Sequence, residues 1–321
     1  MKRETGIVSI LAIMLLLSSC GGGGSSASSP YTGLTTAAVI TVNNADEIAL
    51  AAFQGGDLGA NTVVPFAPAR DNAVRQPAAR PTALVLVQAV SKAAMIAVRP
   101  PAAVEGPSPR APFTESGVIP DGLGGEARYA ISGDDTTGVF TGMFEFVNFH
   151  GDGGGIIVGN VSVSGTVAQD SIRILFNFQS VTVQDGTEDV TAVGTVDLTA
   201  SMAQVPETGT ATLNLFFSDN ITLKTVWMSN VVVGTAVGTG TSDVTLSGRI
   251  YLHDYGYVDV VTPIPFHYLD GLSFPTGGQM IVTGMNDHGV RLNVDSQTQY
   301  TLGVELDGDT LYDELTVTLN W

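Results

Sequence analysis

Residues 171–184 read SIRILFNFQSVTVQ, and the alternation inside them decides the fold class. Ile172, Ile174, Phe176 and Phe178 fall on one side, and Arg173, Leu175 and Asn177 on the other. A period of two belongs to an extended strand, whose successive side chains point to opposite faces. The same alternation returns downstream. Leu213, Leu215 and Phe217 alternate with Thr212, Asn214 and Phe216, and Leu315, Val317, Leu319 and Trp321 alternate with Thr316, Thr318 and Asn320. Gly151–Gly155, Asp185-Gly186, Asp270-Gly271 and Asp307-Gly308 punctuate these runs as turns.

Residues 127–321 therefore predict a mainly β domain of about eleven to thirteen strands. One phrase recurs in it: GNVSVSG at 159–165, GTVDLTA at 194–200, SDVTLSG at 242–248 and GQMIVTG at 278–284. Several of these spacings match one long hairpin each. That predicts a long antiparallel meander, either a curved sheet or a barrel-like one.

Residues 31–126 are of another kind and predict helix and loop packed on the sheet. Tyr31–Val42 reads as extended chain. Asn43-Asn44 then offers an N-cap, with Asp46 and Glu47 in the first turn, and predicts a short helix from Ala45 to about Gln54, stopped by Gly55-Gly56. A second helix is expected at Thr82–Val98, between Pro81 and Pro100-Pro101. Its polar residues Gln88, Ser91 and Lys92 form one thin stripe, so it reads as buried against the sheet. Residues 57–81 read as loop and 99–125 as a Pro/Gly-rich linker.

The first residues read as an address. A cationic start at Lys2-Arg3 precedes an apolar run, Ile7–Leu17, broken only by Ser9. That run is too short for a bilayer of roughly 30 Å and has the length of a signal-peptide core. Leu17-Ser18-Ser19-Cys20 follows and looks like the lipobox of bacterial lipoproteins. Residues 1–19 are then a signal peptide, and Cys20, the chain's single cysteine, is the lipidation site. Residues 20–30, rich in Gly and Ser, form a flexible tether. In that class, Gly21 rather than aspartate after the cysteine implies the outer membrane, with the domain facing the periplasm or the cell surface.

The formal charge of −18 bears on partners. Only Arg173, Lys224, Arg249 and Arg291 are basic beyond Arg128, so the excess negative charge sits in the β domain. Such a surface repels nucleic acid and anionic headgroups. With one cysteine, no disulfide forms within the chain, and stability rests on burial and backbone pairing.

Several stretches together resemble a set of uncharacterised lipoproteins of environmental Gram-negative bacteria. They are YTGLTTAAVITVNNADEIALAAFQGG after the tether, GRIYLHDYGYVDVVTPIPF at 248–266, FPTGGQMIVTG at 274–284 and ELDGDTLYDELTVTLNW at the end. The resemblance implies an exported, β-rich architecture and brings no activity with it.

Two stretches are candidate sites. If Tyr251–Asp259 is one strand, Tyr251, His253, Tyr255 and Tyr257 share a face with Asp259. A row of tyrosines offers large contact area at low entropy cost, to sugar rings or to an envelope protein. Equally, such rings serve cross-strand pairing, and Gly256 is placed to break the register. In the second stretch Glu305, Asp307, Asp309 and Asp313 resemble the alternating oxygen ligands of a calcium loop. An acidic hairpin turn at Asp307-Gly308 accounts for the same residues.

His150, His253, His267 and His288 have no zinc-type spacing. His253 and His267 are placed to face one another across a hairpin, near Asp254 or Asp270. No nucleophile–base–orienter set is legible and no catalytic residue is assigned. The expectation is a lipid-anchored, non-enzymatic binding or scaffolding domain of the envelope. The alternatives are a carrier of lipid or another apolar molecule, and a polysaccharide hydrolase built on carboxylates such as Asp254 and Asp259.

Overall fold

A computed structural model describes residues 31–63, 112–134, 136–150, 155–168, 171–184, 189–201, 207–270, 272, 274–309, 311–313 and 315–321. The expected second helix at 82–98, Cys20 and the tether lie outside the described residues. Among the described residues, fourteen strands form one sheet in strict sequence order, each antiparallel to the next. They are β1 (Pro112–Pro120), β2 (Glu126–Asp134), β3 (Val139–His150), β4 (Ile156–Val167), β5 (Ser171–Gln184), β6 (Asp189–Ser201) and β7 (Glu207–Asp219). There follow β8 (Thr225–Val237), β9 (Thr241–Leu252), β10 (Gly256–Leu269), β11 (Gly277–Thr283), β12 (Gly289–Ser296), β13 (Gln299–Glu305) and β14 (Leu315–Asn320). The sheet is not closed: β1 and β14 are its two edges. The expected meander is thus an open one.

β1 lies inside the stretch read as linker. Its prolines stand at the two ends of the strand, and an edge strand needs no second row of ladder donors. Glu115 is paired opposite buried Ile131, which places a charge on the inward face of this edge. Such a residue discourages pairing with a further strand.

Alternation sorts the side chains as the sequence predicts. In β5, Ile172, Ile174, Phe176 and Phe178 are buried while Arg173, Leu175 and Asn177 are exposed. Neighbouring strands add Phe144, Phe146, Leu198, Leu213, Val233 and Leu246 to one continuous core. The outward face carries Asp197 and Thr199 on β6, Thr208 to Asn214 at alternate positions on β7, and Asp243, Thr245 and Ser247 on β9. A bilayer-spanning barrel has the reverse order, an apolar band outside. No described helix is long and apolar enough to cross a membrane.

The recurring phrase marks bulges. Gly159, Gly194 and Gly278, which open or adjoin three of its copies, have φ of 131°, 129° and 130°. A Cβ at Gly159 or Gly194 would run into the carbonyl oxygen of Ser180 or Asn214 on the adjacent strand. Register shifts sit beside both, at Asn160/Val161 and Phe178/Val181. Bulges of this kind sharpen twist and bend a sheet.

The first helix, α1 (Ala45–Val63), packs over β6–β9 and β11–β13 through Ile48, Ala49, Ala52 and Phe53. It runs past Gly55-Gly56, where a stop was expected. Each glycine costs about 1 kcal/mol in a helix interior, but the first residue that forbids continuation is Pro65, which also disfavours helix at Val64. Nor does Asn44 cap the helix as expected. Its Oδ1 accepts from the Thr41 amide at 2.8 Å and its Nδ2 donates to the Val39 carbonyl at 2.9 Å, so it clamps the preceding turn.

Residues 31–40 act as a strap. Leu34 N donates to the His253 carbonyl, Tyr257 N to the Thr36 carbonyl, Ala38 N to the Tyr257 carbonyl, and Met285 N to the Ala38 carbonyl, all at 2.7–3.0 Å. The strap enters between the ends of β10 and β11, so Tyr31 meets outward-facing rings while Ala38 and Ile40 join the core.

Candidate binding surface

Tyr251 and Tyr257 do not lie along one strand. β9 ends at Leu252, His253–Tyr255 form a turn, and β10 begins at Gly256 with φ of 95°. The hairpin instead places Tyr251 and Tyr257 directly opposite each other. The same outward rung continues through two strands. Tyr251 is paired with Trp227 on β8, and Trp227 with Phe216 on β7.

The result is a cross-strand ladder of four rings. Phe216 stacks on Trp227 at 5.0 Å, Trp227 on Tyr251 at 4.4 Å, and Tyr251 meets Tyr257 at 5.5 Å. Tyr31 from the strap packs edge-on to Tyr251. Burial, then the neighbouring Tyr251 and Asp254, push the Tyr31 hydroxyl up to about 12. The indole N–H of Trp227 donates to Asn214 Oδ1 at 3.1 Å. Arg249 lies 3.8 Å over the Tyr257 ring and holds Asp259 with two bonds of 2.8 Å.

This geometry decides between two uses of the row. Trp227 has a ring on each face, and Tyr257 has Arg249 on one face and Tyr251 beside it. Stacking on a sugar needs a free ring face, and Trp227, at the centre of the ladder, has neither face free. The ladder therefore stabilises four strands and offers the solvent a strip of half-buried rings flanked by Asn214, Arg249 and Asp259. Phe216, Trp227 and Tyr31 were missed in the sequence. The only signal was that Phe216 and Trp227 sit at outward positions of their strands, where polar residues are the rule.

The other two members of the row go elsewhere. The Tyr255 hydroxyl donates to Glu47 Oε2 at 2.5 Å, tying the β9–β10 turn to α1. That bond, and after it burial, push the pKa of the Tyr255 hydroxyl up, so its ionisation is suppressed. His253 Nδ1 accepts from the Thr225 amide at 3.3 Å, leaving the ring proton on Nε2. His267 lies towards the other end of β10, where its Nδ1 meets Asp243 at 2.7 Å, so His253 and His267 do not face each other.

In the acidic stretch, Glu305, Asp307 and Asp309 bring carboxylate oxygens within 4.8 Å of one another, and Asp313 stands outside that group. Glu305 is buried and accepts from the Gly308 amide. Asp307 accepts from Asp309 N at 3.1 Å, and Asp309 from Leu311 N at 2.8 Å. These bonds, one to each of the three carboxylates, are those of a self-braced turn.

The carboxylates considered for hydrolysis are engaged. Asp254 pairs with Lys224 at 2.5 Å and Asp259 with Arg249. Arg173 is likewise held by Asp197, and Arg291 lies over the Tyr312 ring. All four basic residues of the later strands are thus occupied locally. Exposed pairs of this kind contribute little to stability, but they leave the excess charge of the surface negative. Comparison with protein-family models, curated proteins and solved structures finds no match.

Proposed function

We propose that this chain is an exported lipoprotein whose acylated Cys20 holds a water-exposed β-domain at the outer membrane, as a non-enzymatic binding or scaffolding module of the envelope. The observation that carries the reading is the polarity of the sheet. Its outward face is Thr-, Asn- and Asp-rich and its inward face is filled with aliphatic and aromatic side chains. A sheet of that polarity does not integrate into a bilayer, so membrane attachment needs a separate device. Leu17-Ser18-Ser19-Cys20 and the Gly/Ser tether supply one. The engaged state of Asp254 and Asp259 favours binding over hydrolysis. The strip at Asn214, Phe216, Trp227, Tyr251 and Tyr257 is the contact surface we assign, and a ladder whose central ring has no free face suits an envelope protein better than a stacked sugar.

The test is metabolic labelling with radioactive palmitate in a Gram-negative host, followed by membrane fractionation. The wild-type chain takes up label and sediments with outer membranes. Cys20→Ala does neither. Equal labelling of the two chains would remove the anchor and the reading built on it.

A further inference from the structure

The structure points to one rim of the sheet as a membrane-resting surface, an inference that rests on the lipid anchor proposed above. In an antiparallel meander the turns alternate between two rims. The turns leaving β1, β3, β5, β7, β9, β11 and β13 share one rim, and those leaving the even-numbered strands share the other. The strap runs along the first rim, past Thr225, His253 and Met285. The chain therefore enters the domain there, at Tyr31.

Large apolar side chains stand at the tips of that rim. Leu123 in the β1–β2 turn, Ile221 and Leu223 in the β7–β8 turn, Leu311 after β13 and Leu34 in the strap are between 52% and 73% exposed. Turn tips favour Gly, Asn, Asp and Ser, so leucine is an unusual choice. Leu223 is moreover held at φ of 61°, a conformation that disfavours any residue with a Cβ. Among the described residues of the opposite rim, the most exposed large apolar side chains are Val139 at 48% and Leu269 at 40%, and both belong to strand ends rather than tips.

Scattered surface leucines need no explanation singly. These are spaced around one rim and do not form a single patch, which suits an extended plane better than the compact core of a protein interface. The tether brings that plane to them. From Cys20 to Tyr31 the chain spans at most roughly 40 Å fully extended, and a Gly-rich coil of this length averages about 20 Å. The opposite rim lies a further strand length away, roughly 40 Å for a twelve-residue strand. Lipid is thus within reach of the near rim and remote from the far one. Asp287, Asp307, Asp309 and Asp313 on the near rim repel anionic headgroups. The occupant is a zwitterionic lipid surface, into which the leucine tips dip while the tether supplies the attachment.

The experiment uses the acylated protein purified from membranes and reconstituted into phosphatidylcholine vesicles. Cys20 is the only native cysteine and its sulfur is blocked by the lipid, so Leu123→Cys, Leu223→Cys and the far-rim control Thr136→Cys each add one thiol for an environment-sensitive fluorophore. The expected result is a blue-shifted emission, quenched by brominated acyl chains, at 123 and 223 and not at 136, weakened when phosphatidylglycerol replaces most of the phosphatidylcholine. Vesicle flotation with the same aqueous emission at all three positions would overturn the resting surface while leaving the anchor in place. A shift at 223 that needs no vesicles and grows with protein concentration would overturn it in favour of self-association. A reactive Cys20 thiol on a wild-type chain that fails to float would remove the anchor and this orientation together.

Discussion

Two assemblies of aromatic rings sit on opposite faces of the same sheet. Outside, Phe216, Trp227, Tyr251 and Tyr257 run across β7–β10 one rung at a time. Inside, Phe53 of α1 packs on Phe266 at 5.1 Å and on Trp321 at 4.8 Å, and Trp321 also meets Phe274 and Tyr300. The outer rings join neighbours already hydrogen-bonded to each other and so fix register. The inner rings join elements far apart in sequence, α1, β10 and the end of the chain after β14, and so add to helix docking. Rings of the same chemistry contribute differently because Phe53, Phe266 and Tyr300 of the inner set lose nearly all their water, whereas the outer ladder rings lose only part.

That difference predicts an order of effects. Phe53→Ala should cost most, about 3–5 kcal/mol, since it empties a buried ring site between α1 and the last strands. A denaturant titration reads it directly. Gly256→Ala comes next, at about 1–3 kcal/mol for the forced φ alone. Its new Cβ also meets the Thr36 carbonyl oxygen, where the strap crosses between the two assemblies. Trp227→Ala removes its two stacked pairs, at about 0.5–1.5 kcal/mol each, and a looser tilted contact with Tyr31, hence about 1–3 kcal/mol from the stacked pairs. Combined with Phe53→Ala it should be additive, as separate sites are. A coupling well above about 0.5 kcal/mol would mean that the strap transmits strain between the faces, so that the two assemblies act as one.

How much of this was legible depends on the range of the physics. Alternation within 171–184 is local, so the strands, their inward residues and the sequential antiparallel order follow from it. β1 was hidden because prolines at 112 and 120 look like linker unless the strand is known to be an edge. The ladder was hidden because Phe216, Trp227 and Tyr251 become neighbours only through hairpin register, and bulges such as those at Leu213/Leu215 and Ser229/Val232 shift that register unpredictably. The tyrosine row failed at Gly256, whose positive φ turns the chain where continuous extension was assumed. Its members Tyr251 and Tyr257 still end on one face, because a hairpin restores what the turn interrupts. The acidic turn was readable as a turn because its bonds span two or three residues.

The smallest effect separates packing from charge. Asp121 braces the near rim at the β1–β2 turn, accepting from Leu123 N at 2.7 Å, Gly125 N at 3.0 Å, His150 N at 2.8 Å and His150 Nδ1 at 2.6 Å. Burial pushes its carboxyl up, but these bonds outweigh it and hold the group well below the usual carboxylate range. A depressed folded-state pKa stabilises the fold fully above the unfolded value of about 4, and this contribution is lost as pH falls below that value. Asp121→Asn keeps one acceptor oxygen and so retains part of the brace. It should therefore lower the melting temperature at pH 7 by less than Trp227→Ala does, and the gap to wild type should narrow as pH drops from about 4 towards 2. The Trp227→Ala gap, which involves no titrating group in that window, should stay constant. A pH-independent gap for Asp121→Asn would mean that its carboxylate charge contributes nothing and that the turn is held by backbone geometry alone.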